Sequence, residues 1–408
     1  MQPLKCLRAG SRTAHWVRSG AAASLVAVAG LVALSGSSAP AGAATPSVNL
    51  TNTGPAHVAT ITANHIGSTA VLPYKDAPSR ATLAVLASKS KTLKMWNGSV
   101  VAGQDGNTYD FTMLGNSPTS GTPKATLKTM IIPVVVTFTN TGDVYDPTTP
   151  NTACGQTQSA EAGLLNGPDF AKAQYSPGGT NVGLTQYTDA QMREEFWNKA
   201  GFNPKYHVLL KGKVPTAVDV TATGYPEYLP GTCNELGEID INAWDGLLQG
   251  TLIPELKSFG VKSTTFPIFE VSNVVFYEGS SCCILGYHSA FNDPNPQIYS
   301  TSDWDTSNDF TNASDNAVAS HEIAEATNDP FGTNATPAWG NTGQVVGCQN
   351  NLEVGDPLTG TVFTENIGGV NYTLQELAYF GWFYDDNIGV NGWYSTQHTF
   401  TTGAALCT

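Results

Sequence analysis

Apolar and polar positions along the chain first mark out strands. Residues 130–138, MIIPVVVTF, are apolar at almost every position, which is typical of a strand buried on both faces near the centre of a sheet. Residues 266–277, FPIFEVSNVVFY, have the same character and predict one or two further strands. These runs favour a sheet as the core of the molecule.

The chain before this central strand has a different composition. Gly, Asn, Ser and Pro separate brief β-favouring runs, and the stretch 117–124, SPTSGTPK, has the composition of a linker. We therefore expect a β-rich N-terminal segment, 44–125, and a larger domain, 126–408. The predicted N-terminal strands are 71–74, 93–96 and 109–113.

Helical spacing follows the central strand. The stretch 188–199 begins with Thr188 and Gln191 in capping-box spacing, and 240–259 carries apolar residues at helical intervals. The run from Thr373, TLQELAYFGWFYDD, predicts a final helix. Helices mixed with a central sheet indicate an α+β (mixed α/β) fold.

The segment 314–330, SDNAVASHEIAEATNDP, predicts a helix that carries chemistry. Asp315 is a suitable N-cap and Pro330 ends the helix. Because side chains four residues apart share a helix face, His321 and Glu325 can reach one point, with Glu322 beside them. This spacing matches the HExxH zinc helix with Glu in place of the second His. The alternative is an ordinary helix with a solvated charged face.

A catalytic zinc ion needs a third protein ligand, which a later acidic residue commonly provides. The segment 347–357, GCQNNLEVGDP, offers Glu353 and Asp356, and the pattern does not choose between them. Asp329 lies on the His321 face but its position next to Pro330 suits the helix end. An alternative is a turn with two exposed acids.

Two further segments are open to a functional interpretation. His288, in GYHSAF, can line the site as a ligand or as a donor to a developing oxyanion, or it can be a loop histidine held by hydrogen bonds. The Asp-rich and Ser-rich stretch 301–316 offers oxygen ligands for Ca²⁺, although it lacks EF-hand spacing, and it also suits a solvated loop.

The first 43 residues have the organisation of an export signal. A basic start without acidic residues precedes an apolar stretch at 21–34, and Ala41-Gly42-Ala43 is a small-x-small cleavage motif. We expect cleavage near Ala43 and a secreted protein, since the apolar stretch is too short to remain as a membrane span. Six cysteines remain, which predicts three disulfides, with adjacent Cys282 and Cys283 tying two loops to one strand end.

Charge is distributed unevenly along the predicted mature chain. Residues 44–130 hold seven Lys or Arg against three Asp, whereas 131–408 hold eight against thirty acidic residues. Because residues 131–408 carry a large excess of negative charge, nucleic acid is an unsuitable partner. The basic segment is an accessory domain docked by charge, a propeptide, or a plain difference in surface composition.

Several motifs together resemble a known family. MIIPVVVTF, QYTDAQMREEFW, CCILGYHSAF, SHEIAEATNDP followed by Trp339, and CQNNLEVGDP are similar to secreted bacterial proteins regarded as HExxE zinc peptidases, over most of 130–385. More distantly, HEIAEATNDP with LEVGD is similar to plant EXORDIUM or phosphate-induced proteins, which act at the cell wall. The resemblance implies a zincin-like fold and supports a constellation of His321, Glu322, Glu325, Glu353 and Asp356.

These observations predict a secreted, metal-dependent peptidase that cleaves a polypeptide substrate. One Zn²⁺ is expected on His321 and Glu325 with Glu353 or Asp356, while Glu322 acts as general base and His288 assists. Two alternatives remain: a non-catalytic secreted or cell-wall-associated protein that a metal stabilises, and a glycosidase that uses paired carboxylates such as Glu322 and Glu353.

Overall fold

The central strand of the sheet forms where the apolar run predicts it. The computed structural model describes residues 47–49, 68–72, 78–200, 205–223, 225–227, 233–279, 281–386 and 389–408, and these ranges belong to one unit, Thr45–Thr408. The predicted export signal, 1–43, lies outside the described residues.

The described strands are β1 (Ser47–Asn49), β2 (Ser68–Leu72), β3 (Met95–Val101), β4 (Thr108–Leu114), β5 (Lys124–Phe138), β6 (Val144–Tyr145), β7 (Ala173–Tyr175), β8 (Gly183–Thr185), β9 (His207–Lys211), β10 (Val218–Ala222), β11 (Tyr225–Glu227), β12 (Leu236–Asp240), β13 (Phe266–Ser272), β14 (Val274–Glu278), β15 (Ser281–Asn292), β16 (Pro296–Trp304), β17 (Ala335–Thr342), β18 (Val345–Asn351), β19 (Val362–Ile367) and β20 (Val370–Gln375).

Helices accompany these strands, which confirms the predicted mixed α+β class. The described α-helices are α1 (Arg80–Ser88), α2 (Ala160–Asn166), α3 (Tyr187–Glu195), α4 (Trp197–Ala200), α5 (Ile241–Leu247), α6 (Ile253–Glu255), α7 (Ala317–Asn328) and α8 (Phe380–Tyr384). A π-helical turn, Leu248–Leu252, joins α5 to α6, and a 3-10 turn, Leu256–Phe259, continues to Gly260, where a left-handed φ of 113° ends the segment.

Twelve of the described strands form one mixed sheet. Its order is β1-β10-β5-β13-β16-β15-β14-β12-β11, with β6 and β9 also on β5 and β2 on β15. β5 runs parallel to β10, β13 and β9. Parallel strands are buried on both faces, which explains why β5 and β13 are apolar at consecutive positions.

Alternate residues of β5 enter two separate cores. Ile132 and Val134 pack with the α5–α6 segment, whose Trp244 is fully buried. Ile131, on the opposite face, belongs to the core that includes Ile323 of α7. Burial of one such side chain contributes about 1.5–3 kcal/mol. The sheet therefore separates α5 and α6 on one side from α7 on the other.

Two helix predictions need correction. α3 begins at Tyr187 after Gln186, and no side chain caps it, so the predicted Thr188–Gln191 capping box is wrong. The Oγ1 atom of Thr188 lies against Asp169 instead. The run from Thr373 begins as the end of β20, which pairs with β19, and only Phe380–Tyr384 is helical. Strand pairing has overridden helix propensity there.

The described part of the N-terminal segment packs on the body of the protein. The β3–β4 hairpin contacts α7 and β17 through β4. The side chain of Asn334 accepts a hydrogen bond from the Thr112 N–H at 2.9 Å and donates one to its carbonyl at 2.7 Å. β2 adds to β15 in parallel, with Val71 opposite His288. Removal of 44–125 as a propeptide stays a prediction.

Three disulfides join the six cysteines, as the sequence predicts. They are Cys154–Cys233, Cys282–Cys283 and Cys348–Cys407. The expectation that Cys282 and Cys283 tie two loops to a strand is wrong, because they bond to each other at the start of β15. No helix in the described ranges has the length and apolar character needed to span a membrane.

Candidate metal centre

The helix that carries HExxE lies inside the protein. All twelve residues of α7 are buried, and the helix contacts β15, β16, β20, β4 and α3. Its Ala-rich sequence allows strands to approach closely, and it ends at Asn328, with Asp329 as its C-cap before Pro330. The alternative of a solvated surface helix is therefore wrong.

The start of α7 differs from the prediction. Asn316 occupies the N-cap position, and Asp315, the predicted cap, has a left-handed φ of 43°. The carboxylate of Asp315 accepts hydrogen bonds from the N–H of Thr373 at 2.7 Å and from its hydroxyl at 2.8 Å. Asp315 thus fastens the helix to β20 instead of capping it.

One potential ligand group forms around His321. Its Nε2 atom lies 2.9 Å from Oε1 of Glu325 and 3.6 Å from Oδ1 of Asp356. The N–H groups of Gly355 and Asp356 donate to the same Glu325 oxygen at 3.1 and 3.3 Å. Although burial opposes the imidazolium, Glu325 and Asp356 raise the pKa of His321 well above its usual value. The group fixes the loop after β18 against α7.

Amide side chains from the β17–β18 hairpin hold Asp356 in place. Gln344 donates to Oδ1, and Gln349 donates to Oδ2 at 3.0 Å. Asn351 donates to Oε1 of Glu353 at 2.8 Å. Because ligand orientation depends on such outer hydrogen bonds, the hairpin is part of the centre.

A second potential ligand group forms around His288 in β15. Its Nδ1 atom lies 3.4 Å from Oε2 of Glu322 and 3.6 Å from Oε2 of Glu325. Its Nε2 atom donates to the backbone carbonyl of Asp329 at 3.0 Å, so Nδ1 carries the lone pair of a neutral ring. Burial lowers the pKa of His288 to about 3, which agrees with a neutral imidazole.

Glu353 takes a different place from Asp356. Its Oε2 atom lies 3.9 Å from Nε2 of His288, and Glu353 belongs to neither group of potential ligands in the described chain. Burial, with Glu325 and Asp329 nearby, raises the pKa of Glu353 well above the usual range. Of the two acids that the sequence left open, Asp356 is therefore the one beside His321 and Glu325.

Asp329 serves the helix end, as its position next to Pro330 indicates. Its carboxylate accepts from the N–H of Thr333 at 3.0 Å and of Asn334 at 2.8 Å. The other predicted ion-binding stretch, 301–316, is partly strand, since β16 extends to Trp304. Asp303, Asp305 and Asp309 within it are buried, so a solvated loop is wrong there. Binding of Ca²⁺ to this stretch stays a prediction.

The donor set fits a metal ion. His288, Glu322 and Glu325 form one group that could hold an ion, and His321, Glu325 and Asp356 form another. Two ligands about 2 Å from a tetrahedral ion are about 3.3 Å apart, close to the observed separations. Neither oxygen of Glu322 accepts a hydrogen bond from a described residue, although the side chain is fully buried. Buried carboxylates without partners are costly unless a cation compensates them.

Sequence reasoning missed the supporting residues of this centre. Gln344, Gln349 and Asn351 are polar residues of a hairpin, and their spacing carries no ligand signature. Gly355 is the clearest signal in retrospect, since it lies between the two candidate acids in LEVGD. Comparison of the chain with protein-family models, curated proteins and solved structures gives no match.

Proposed function

We propose that the protein is a metal-dependent hydrolase, and specifically a zinc peptidase of the HExxE type. One observation carries the proposal: His321, Glu325 and Asp356 lie within ligand distance of one another beside a buried Glu322 carboxylate that has no hydrogen bond from the described residues. This arrangement supports the resemblance to HExxE zinc peptidases. It provides three residues that could hold an ion and leaves Glu322 available as a base.

His321, Glu325 and Asp356 would hold the ion. When bound, a divalent ion supplies a coordinated water of lowered pKa and polarises the scissile carbonyl. Zinc is preferred because an imidazole is combined with carboxylates at short separations, although a second carboxylate in place of His moves the site towards harder cations such as Mn²⁺. A polypeptide is the proposed substrate.

The chain's own residues supply the proton transfers. Glu322, one position from His321 and outside its ligand group, accepts a proton from the attacking water and returns it to the leaving amine. His288 stays neutral, so its Nδ1 lone pair, 3.4 Å from Oε2 of Glu322, can accept a hydrogen bond from that carboxyl once Glu322 has taken up the proton. The backbone carbonyl of Asp329, which accepts from Nε2, keeps the His288 ring in place, and Glu353 lies 3.9 Å from the same nitrogen.

Burial favours a second candidate function. No residue of the His321 group is more than 7 % exposed, and the β17–β18 hairpin supplies the amides that bond Asp356. A peptide would reach residues buried this deeply only after neighbouring segments moved aside. A non-catalytic protein that uses the ion for stability needs no such movement, and a cell-wall role would suit the EXORDIUM likeness.

Secretion is part of the proposal. Disulfides form and persist in oxidising compartments, and all six cysteines after the predicted signal are bonded. Together with the predicted signal cleaved near Ala43, they favour an extracellular protein. Measurement of the N-terminus of the secreted product would test both the cleavage site and the fate of 44–125.

The deciding experiment measures metal content and turnover on the same samples. Wild type, Glu322→Gln and the exposed control Glu278→Gln are purified, analysed for metals and assayed on casein-type substrates. We expect equal metal content in all three and turnover lost only in Glu322→Gln. Metal without turnover in the wild type selects the non-catalytic function, and absence of metal after zinc loading overturns both.

A further inference from the structure

Lysines collect on one face of this acidic protein. Of the eight basic residues in 131–408, four line two cavities that also contain lysines of β5. The first cavity, about 380 Å³, has Lys128, Lys211, Lys213 and Lys262 in its wall. The second, about 480 Å³, has Lys124 and Lys205. We name the two cavities together the lysine groove.

Strand pairing sets the direction of the lysine groove. β5 and β9 run parallel, with Lys124 opposite His207 and Lys128 opposite Lys211. Side chains alternate along a strand, so Lys124 and Lys128 point to the same exposed face. Four residues of strand span about 13 Å. The positive charges therefore form an elongated row.

The charges of the first cavity are not neutralised locally. None of its four lysines forms an ion pair with a carboxylate of the described chain, and no acidic residue lines either cavity. Elsewhere, Lys199 is paired with Asp386 at 2.7 Å. Exposed lysines usually occur among mixed charges, so these four lysines of the first cavity, in a chain of net charge −14, point to an anionic ligand.

The groove also contains an exposed aromatic side chain, which attraction between charges alone does not require. Phe259, 36 % exposed, lies in the wall of the first cavity. An aromatic face packs against the apolar face of a sugar ring.

We propose that the lysine groove binds a linear acidic polysaccharide. Its carboxylates or sulfates would meet the lysine row, and one ring would stack on Phe259. The elongated shape suits an extended polymer better than a flat membrane. The groove shares no residue with the proposed metal centre, and the inference does not depend on hydrolase activity.

Binding of oligogalacturonate of defined length tests the proposal by calorimetry at several salt concentrations. Comparators are neutral dextran oligomers, inorganic polyphosphate, a single-stranded oligonucleotide and vesicles rich in phosphatidylglycerol. The variants are Lys128→Ala with Lys211→Ala, and Phe259→Ala. Lys199→Ala is the matched control, because its charge is already neutralised by Asp386. Thermal unfolding verifies that each variant is folded.

We expect oligogalacturonate to bind and dextran not to bind. The double lysine variant should lose at least about tenfold in affinity, and its salt slope should fall by about two, one for each lysine. Phe259→Ala should weaken oligogalacturonate binding and leave polyphosphate binding unchanged. Lys199→Ala should match the wild type.

Three results would overturn the proposal. Unchanged affinity in the double lysine variant would remove the groove as the binding site. If polyphosphate or the oligonucleotide bound as tightly as oligogalacturonate, and Phe259→Ala changed the affinity for no ligand, the groove would show only non-specific attraction for polyanions. Capture by anionic vesicles without binding of oligogalacturonate would assign the face to membranes.

Discussion

Gly355 lies directly against the imidazole of His321. A Cβ atom added at Gly355 would come within 2.4 Å of Nδ1 and 2.5 Å of Cε1 of that ring. The φ of Gly355 is −88°, which any residue adopts, so the position requires the absence of a side chain and not unusual backbone freedom. The loop that carries Asp356 reaches His321 only because of this glycine.

Gly355→Ala should therefore disturb the metal centre. Overpacking typically costs about 1–3 kcal/mol, and displaced ligands typically lose about 10–100-fold in metal affinity. Urea unfolding and competitive zinc titration measure the two effects. Gly246→Ala is the control, since nothing lies near the added Cβ in that helix. An unchanged zinc affinity in Gly355→Ala would argue against a site at His321.

Metal removal should lower stability in a way that depends on the His321 group. An ion present at one hundred times its Kd adds about 2.7 kcal/mol to folding, equivalent to about 3.5 °C in Tm for a folded unit of this length. EDTA should lower the Tm of the zinc-loaded wild type by about this amount and leave the Tm of His321→Ala unchanged. Scanning calorimetry with and without EDTA measures the difference. Equal sensitivity of both proteins would place the ion elsewhere.

The two long-range disulfides should differ in their effect on metal binding. Cys154–Cys233 and Cys348–Cys407 close loops of 79 and 59 residues, so loss of either should cost up to about 4 kcal/mol. Only the second holds β18, whose Gln349 bonds Asp356. Replacement of both cysteines of the second pair by Ala should weaken zinc binding, whereas the first pair serves as control. A matching loss of zinc affinity in both would refute this distinction.

Buried carboxyl groups away from the metal centre predict a pH dependence. Burial raises the pKa of Glu270 from 4.5 to about 8, although a hydrogen bond from Ser302 acts to lower it. Between those values the folded state holds a proton that the unfolded state releases, so stability falls as pH rises. Glu270→Gln should reduce the loss of unfolding free energy between these two pH values by on the order of a few kcal/mol.

Urea unfolding of metal-free wild type and Glu270→Gln at about pH 5, 6.5 and 8 measures the slope. Glu278→Gln, at an exposed position of β14, should retain the wild-type slope. A wild-type stability that rises over this range would contradict the assigned direction.

Local spacing was sufficient to predict the parts of the centre that lie on one helix. His321 and Glu325 are four residues apart, and helix geometry alone brings them together. The choice between Glu353 and Asp356 depends on the path of a loop about thirty residues later, which no local pattern describes. Asp356 reaches His321 because Gln344 and Gln349 anchor its carboxylate and Gly355 leaves room for the ring.

The errors have a common physical origin. Asp315 has a good capping side chain, but β20 offers its N–H and hydroxyl groups at Thr373, and the carboxylate bonds there. The run from Thr373 has helix-forming residues, yet pairing with β19 makes its first part a strand. In both cases a contact with a distant segment outweighed a local preference. The apolar run of β5 was reliable because burial on both faces leaves little alternative.

The lysine groove gives the molecule an electrical polarity. A polyanion is repelled by the acidic residues of 131–408 and attracted by the lysines of β5 and β9, so encounters favour one orientation. Screening shortens this influence to about 8 Å at physiological ionic strength. Association should therefore be fastest in dilute electrolyte, with the protein always presenting the same side to its ligand.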